Sequence, residues 1–232
     1  RSCWTSSRPD GVEHRDSFRR GLRLGLPFAA VGFFLSVSFG VLARQAGFSV
    51  AQASVTAMIV FAGSAQFAAL SVVTAGGGIP AALTAGSLMN ARFLAMGIAL
   101  APSLPGGPWR RAAQGQTVVD SSWALAHRGD GTFDRWLLFG TTVPQYAAWT
   151  LGSVVGAVSG DLLGDTERLG LDAIYPVFFL SLLIAELRDS TSRRVALAGA
   201  LVALALVPLA PPGIPILAAS AVALVGLVRR AG

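Results

Sequence analysis

Residues 53–75 read ASVTAMIVFAGSAQFAALSVVTA, an apolar stretch without a single charged side chain. A helix of this length, at about 1.5 Å per residue, is long enough to cross a bilayer core of about 30 Å. Its apolar residues occupy consecutive positions, whereas the strands of a membrane barrel alternate apolar and polar residues. The stretch therefore predicts a helix embedded in a membrane.

Six more apolar stretches share this character, and they cover residues 24–43, 79–101, 135–158, 172–187, 195–209 and 214–228. Only 13% of the chain is charged, which is about half the fraction usual in soluble domains. We therefore expect an all-α polytopic membrane protein with seven or eight membrane segments, some of them broken or re-entrant. The polar residues 1–23 are predicted to form a mobile tail before one transmembrane domain over 24–230.

The basic residues number 18, and every one of them is an arginine. They concentrate in the N-terminal tail, in 102–135, in 188–194 and at the C-terminus, whereas 159–172 is acidic. The positive-inside rule then predicts a bacterial inner-membrane protein with both termini in the cytoplasm. Because these arginines flank apolar runs, they are expected to face the lipid headgroups, and nucleic-acid binding is not expected.

This assignment creates a conflict in the number of crossings. Three crossings between 24 and 101 would place residue 102 outside, although its surroundings are rich in arginine. Either 53–75 or 79–101 is re-entrant, or the piece 112–128 crosses as an eighth segment. We slightly favour the second alternative, which requires the polar side chains of 112–128 to face protein or water.

The two halves of the chain show a weak internal repeat. Pro27 and Pro144 are 117 residues apart in the sequence, and the dipeptides Val60-Phe61 and Val177-Phe178 have the same spacing. The halves would be 24–101 and 135–230, joined by 102–134. Transporters are often built from such repeats.

The string from Phe61 to Phe67 places Gly63, Ser64 and Gln66 inside an apolar stretch. A glutamine amide in hydrocarbon is costly unless it is hydrogen-bonded. One interpretation is a broken helix that lines a polar cavity. The alternative is a helix-packing face of small residues, with Gln66 bonded across it.

Arg92 lies deep inside the apolar run 79–101, two residues after Asn90. A guanidinium there is costly unless it is paired or hydrated, and its planar fork suits a carboxylate. Arg92 could bind a substrate carboxylate or form a structural ion pair. Asp120 is its natural partner, and it could instead hold an ammonium group or a coupling proton, or remain solvated if 112–128 is a surface helix.

The other chemical features are few. Cys3 is the single cysteine, and His14 and His127 are far apart in the chain, so a metal site is not expected. The triplet Gly76-Gly77-Gly78 has no lysine after it, which argues against a phosphate-binding loop. We expect no cofactor and no enzymatic activity.

Several strings resemble the AzlC family. They are Phe18-Arg19-Arg20-Gly21 with Leu26-Pro27, Ser38-Phe39-Gly40-Val41-Leu42, Val60 to Phe67, and Asn90-Ala91-Arg92 with Met96-Gly97 and Leu100-Ala101-Pro102. Their order and spacing match that family over 18–128, and the second half resembles it in hydropathy and length. The chain departs from the family pattern at Phe93, where a histidine is usual, and at Ser121, where a glutamate is usual.

This resemblance implies a secondary transporter that exports branched-chain amino acids together with a small hydrophobic subunit of the AzlD type. In the resulting hypothesis, the substrate is held by Gly63, Ser64, Gln66, Asn90 and Arg92. Asp120 would hold the ammonium group or a coupling proton, and an aliphatic side chain would lie against Phe61, Phe67 and Met89. A non-transporting membrane scaffold and a channel for small solutes are the rival hypotheses.

Overall fold

The structure is a computed structural model that describes residues 10–128, 130–160 and 190–210, together with single positions between 177 and 222. The predicted segments 172–187 and 214–228 and the acidic loop 159–172 lie largely outside these residues. Within the described part, the secondary structure is helical apart from one isolated bridge between His127 and Phe133. The all-α prediction is therefore confirmed for this part of the chain.

The helices are α1 (Asp10–Gln45), α2 (Val50–Ile59), α3 (Gly63–Thr74), α4 (Ile79–Asn90), α5 (Arg92–Leu100), α6 (Pro108–Gly115), α7 (Asp120–Ala126), α8 (Arg135–Ser159) and α9 (Ser190–Leu206). A short 3₁₀ turn, Ala101–Ser103, extends α5. The chain divides into two compact units. Unit 1 comprises Arg1–Val37 and Arg92–Ser153, and unit 2 comprises Ser38–Ala91 and Val154–Gly232.

Among the described residues, one helix is long and apolar enough to cross a membrane, over Glu13–Gln45. A second span results if α4 and the stretch Arg92–Ser103 are taken as one helix bent by 41° at Ala91. The count of seven or eight segments remains a prediction. Because α1 begins at Asp10, the described part of the predicted tail is helical.

In unit 1, glycines bring the backbones of α1 and α8 into direct contact. A Cβ atom on Gly140 would overlap the carbonyl oxygen of Phe18, and one on Gly21 would overlap that of Leu137. Gly25 abuts the carbonyl of Thr141 in the same way. Small residues allow such close approach between membrane helices, where van der Waals packing replaces the hydrophobic effect.

Three segments of unit 1 meet at one end. The Ser17 hydroxyl donates a hydrogen bond of 2.8 Å to Asp134, and the Phe133 N–H donates one of 3.1 Å to the Ser103 hydroxyl. A cavity of about 490 Å³ at this end is lined by residues of all three segments, among them Glu13, Ser17, Pro102, Ser103, Thr132 and Asp134. Ser17, Ser103 and Asp134, which are far apart in the sequence, therefore lie at the same end of unit 1.

The piece 112–128 does not form a crossing helix. α6 ends at Gly115, α7 begins at Asp120, and the two are only about 12 and 10 Å long at 1.5 Å per residue. The chain on either side of them returns to the same end of unit 1. The structure thus does not support the eighth crossing that we favoured, and the apolar character of this piece instead reflects packing within the protein.

In unit 2, the run 53–75 is broken rather than continuous. α2 ends at Ile59, α3 begins at Gly63, and the Gln66 side-chain amide donates a hydrogen bond of 3.0 Å to the Thr56 carbonyl. In an unbroken helix these two residues would lie about 15 Å apart. The chain must therefore reverse sharply at 60–62, as the re-entrant alternative requires, and the number of crossings remains a prediction.

The re-entrant hairpin of α2 and α3 is supported by α4. Ala68 and Val72 of α3 pack on Ala82 and Ala85 of α4 as a buried cluster. Near the reversal, Gly86 is small enough to approach the Ala65 carbonyl, to which an added Cβ would lie 3.3 Å away. Close packing of small residues thus covers the irregular backbone that a re-entrant segment exposes.

Candidate functional site

An ion pair in unit 1 joins two of the residues that the sequence singles out. The Arg92 Nη2 lies 2.9 Å from the Asp120 Oδ2. Each of the two residues begins a helix, Arg92 the helix α5 and Asp120 the helix α7. A carboxylate is favourable at a helix N-terminus and a guanidinium is not, so the pairing with Asp120 offsets an unfavourable position for Arg92.

The ion pair lies well away from the end of unit 1 where Ser103 lies. The helical stretch Arg92–Ser103 places Arg92 about 17 Å from that end at 1.5 Å per residue, which corresponds to half of a bilayer core. Yet the side chains of Arg92 and Asp120 are 38% and 57% exposed. Charges at such a depth in a membrane require water or protein around them.

Hydrogen bonds from α7 fix the position of Asp120. The Trp123 indole N–H donates to the Met96 carbonyl of α5 at 3.3 Å, and the Ser121 hydroxyl donates to the Gln145 amide oxygen of α8 at 2.7 Å. The guanidinium of Arg92 also lies 5.2 Å from the centre of the Phe93 ring, in a cation–π contact. The pair is therefore held by three helices that pack around it.

Gly63, Ser64 and Gln66 all lie in the first turn and a half of α3 in unit 2. Ala62 before them is extended, with φ −150° and ψ 91°, and no side chain caps this helix start. Gln66 is only 3% exposed, and its bond to Thr56 ties the two arms of the hairpin together. The helix is broken, as the interpretation of a broken helix that lines a polar cavity requires. Gln66 is hydrogen-bonded across a packed face, as the alternative of a helix-packing face of small residues requires.

The three residues expected to line an apolar pocket take part in packing within unit 2 or at its hairpin. Phe67 is fully buried and meets Phe39 edge to face, with ring centres 5.9 Å apart. Met89 packs against the cluster between α3 and α4, and Phe61 lies in the break between α2 and α3. Their role in selecting a side chain remains a prediction.

Asn90 ends α4 at the break before Arg92. Its side-chain oxygen is buried, and among the described residues no donor reaches it. An unpaired buried acceptor is costly, so a water molecule or a polar ligand group would stabilise this position.

A second polar centre, which the sequence did not indicate, fixes the start of α8. The Asp134 carboxylate accepts hydrogen bonds from the backbone N–H groups of Trp136 and Leu137 at 3.0 and 3.1 Å, and from Ser17. Burial alone raises the pKa of Asp134, but these bonds and the Arg128 guanidinium at 3.6 Å outweigh it and lower the pKa below its ordinary value. Asp134 is thus an ionised helix cap that also fastens α1 to α8.

One sequence pattern is a signal for the contact between α1 and α8. Gly21 and Gly25 form a Gly-x-x-x-Gly pattern, which is typical of closely packed membrane helices. The bond between Ser17 and Asp134 had no comparable sign, because its two residues lie far apart in the chain. Neither feature touches the pair of Arg92 and Asp120, and both support the scaffold that holds it.

Comparison with known proteins agrees with the family resemblance seen in the sequence. A family model described as "AzlC protein" matches residues 27–163. The chain is 24% identical over 187 residues to the branched-chain amino acid transport protein AzlC of Bacillus subtilis, covering 79% of this chain and 73% of that protein. It is 26% identical over 211 residues to the inner membrane protein YgaZ of Escherichia coli, covering 84% of each. It is also 28% identical over 190 residues to a membrane protein of Archaeoglobus fulgidus, covering 81% of this chain and 84% of that one. No solved structure matches the chain.

Proposed function

The chain belongs to the AzlC family of membrane transport proteins, and on that premise we propose that it exports branched-chain or similar small aliphatic amino acids. Export would be secondary transport across the inner membrane, driven by the membrane potential or a proton gradient. A small hydrophobic subunit of the AzlD type would act with it. We further propose that both termini face the cytoplasm, in agreement with the distribution of the arginines.

The observation that carries the proposal is the ion pair of Arg92 and Asp120, whose side chains are 2.9 Å apart and partly exposed. A free amino acid carries one carboxylate and one ammonium group, which are the counterparts of this pair. If the substrate carboxylate binds Arg92 and its ammonium group binds Asp120, each side chain exchanges one opposite charge for another. The substrate can then enter without leaving an unpaired charge at a depth where such a charge is expensive.

The half-exposed state of the pair is compatible with this role, because a substrate can reach both charged groups. Arg92 and Asp120 present a large part of their side chains outward. Asp120 could also accept a coupling proton when Arg92 turns to the substrate. Selectivity among valine, leucine and isoleucine would be modest, since one methylene contributes only about 1–3 kcal/mol.

The test is exchange of radiolabelled amino acids in proteoliposomes, with a panel of amino acids and with or without the small subunit. We expect saturable exchange of leucine, isoleucine and valine. Arg92→Gln should reduce it by about 30-fold or more, as truncation of one partner of a charged contact typically does. Arg111→Gln is the matched control, because Arg111 is exposed on α6 and should exchange normally.

Three results would overturn the proposal or the part that Arg92 has in it. Flux that rises with the gradient and does not saturate would identify a channel. Absence of exchange by the wild-type protein with its small subunit would favour a scaffold. Normal exchange by Arg92→Gln at equal protein level would remove Arg92 from the substrate site.

A further inference from the structure

A groove in unit 1 lies between α6 and the first turn of α8. It has a cavity volume of about 540 Å³, and its lining includes Arg110, Ala113, Thr117, Arg135, Trp136 and Phe139. We call it the α6 groove. It is separate from the pair of Arg92 and Asp120, since neither of those residues contributes to its lining.

The local structure of α6 fixes one wall of the groove. Arg110 and Ala113 are three residues apart in α6, which places them along one face, and Thr117 follows in the turn after the helix. The Gln114 amide donates hydrogen bonds to the carbonyls of Pro105 and Arg110, at 3.0 and 3.1 Å, and closes the preceding turn. The wall is thus built into the fold and does not depend on a ligand.

The position of Arg110 depends on a glycine. Gly106 has a φ of +100°, and a Cβ added there would lie 2.9 Å from the Arg110 Cδ. The absence of that Cβ lets the aliphatic stem of Arg110 lie against the turn. Opposite, the Arg135 guanidinium lies 5.4 Å from the centre of the Trp136 ring, in a cation–π contact. The stem of Arg110 and the guanidinium of Arg135 are therefore each positioned by a neighbouring residue of the groove.

The exposed walls of the groove are almost wholly apolar, and its two arginines line it chiefly with the carbon atoms of their side chains. The residues that line it include two arginines and no aspartate or glutamate. Alanine, tryptophan and phenylalanine side chains form much of the remainder. A ligand that matches both features is an amphiphile with an anionic head and a hydrocarbon chain.

Two features of the groove's surroundings are compatible with a lipid headgroup as its ligand. Arg135 and Trp136 also line the cavity at the end of unit 1 where Ser17 and Ser103 meet. Trp109, next to Arg110, is 86% exposed, and tryptophan is enriched where membrane meets water. The arginines predict that this end faces the cytoplasm, whose leaflet attracts basic segments through its anionic lipids.

We propose that the α6 groove binds an anionic phospholipid of the cytoplasmic leaflet. Its phosphate lies between Arg110 and Arg135, which can hydrogen-bond to it bidentately, and the start of one acyl chain lies along Trp136 and Phe139. The bound lipid links α6 to α8. This inference concerns a different surface from the transport site and holds whether or not the protein carries amino acids.

The test measures the thermal unfolding midpoint of the purified chain in a neutral detergent. Titration with dioleoylphosphatidylglycerol should raise the midpoint, whereas dioleoylphosphatidylcholine at equal concentration should not. The double variant Arg110→Gln/Arg135→Gln should bind phosphatidylglycerol about 30-fold more weakly, at about one decade or less per arginine. Arg111→Gln is the matched control and should bind as the wild type does, since Arg111 lies outside the groove lining.

Three outcomes would overturn the proposal. Equal effects of the two lipids would show that charge is not recognised. An equal shift with soluble glycerol phosphate would show an anion site that does not use the apolar wall. An equal loss in the double variant and in Arg111→Gln would show general surface attraction. If the double variant fails to fold, Ala113→Trp serves instead, because it fills the groove without changing the charge, and unchanged lipid binding by it would also refute the proposal.

Discussion

The guanidinium of Arg92 lies 2.9 Å from the carboxylate of Asp120, and each residue is the first of its own helix. The two helices meet at this pair because α7 is fastened to α5 through Trp123 and to α8 through Ser121. The pair can therefore be disturbed by single substitutions without displacing the elements that carry it.

Asp120→Asn should lower leucine exchange by about 30-fold or more, because an amide cannot hold an ammonium group as a carboxylate does and Arg92 loses its partner. Asp120→Glu should restore part of the activity. Asp130→Asn is the control, since that carboxylate lies in a loop and bonds only its neighbour Thr132 among the described residues. Exchange by Asp120→Asn equal to that of the control would exclude a substrate role.

Single cysteines introduced at Glu13, Gly107 and Thr132 in a Cys3→Ser background should all react from the same side of the membrane. These positions are exposed, and Glu13 and Thr132 line the same end cavity. The measurement is labelling by an impermeant maleimide in right-side-out and inverted vesicles. If 112–128 crossed, Gly107 and Thr132 would be labelled from opposite sides.

Gly140→Ala should destabilise the protein by about 1–3 kcal/mol, because its Cβ overlaps the Phe18 carbonyl and forces α1 and α8 apart. Gly97→Ala in α5 is the matched control. Nothing lies within 4 Å of a Cβ added there, so this change should stabilise the helix by about 0.5–1 kcal/mol. The change in the free energy of unfolding of each variant is measured in detergent. Equal changes for the two substitutions would contradict the backbone contact.

Gln66→Leu should destabilise the protein by about 1 kcal/mol, because the hairpin loses the hydrogen bond to the Thr56 carbonyl. Gln52→Leu, whose bond to Ser49 is exposed to solvent, should have a smaller effect. Unfolding and leucine exchange are measured together. If Gln66 also contacts the substrate, exchange falls by more than tenfold, and if it only holds the hairpin, exchange follows the amount of folded protein.

Asp134→Asn should destabilise the protein by about 1 kcal/mol at pH 7, as loss of a helix cap usually does. The bonds that the folded protein makes to Asp134 lower its pKa, so their stabilising effect is complete above the ordinary value of 3.8 and is lost as the pH falls through the lower folded value. The difference between wild type and variant should therefore narrow below about pH 4. A difference that is constant from pH 7 to pH 3 would show that the charge of Asp134 contributes nothing.

The sequence predicted the features that follow from the cost of polar groups in hydrocarbon. Arg92 requires a counter-charge, and Asp120 was its nearest acidic candidate. Gln66 requires an acceptor, although the sequence could not say that this acceptor is a carbonyl of α2. Such arguments identify which polar groups need a partner. The identity of the partner depends on the three-dimensional fold.

The path of the chain was harder to predict. The run 53–75 is long enough to cross a membrane, and Val60 to Ala62 contain neither proline nor charge to mark the reversal. The stretch 112–128 is moderately apolar because residues such as Val118 and Ala126 are buried within unit 1. A high hydropathy indicates that a segment is buried away from water. It does not distinguish burial in lipid from burial in protein.

The hairpin of α2 and α3 has a consequence for biogenesis. Each arm is 10 to 12 residues long, about half of what the insertion machinery accepts as a complete segment. The irregular backbone at its tip is tolerated in a membrane only when other protein covers it. If the hairpin lies in a membrane, it therefore reaches its final depth only after α4, on which α3 packs, has been synthesised.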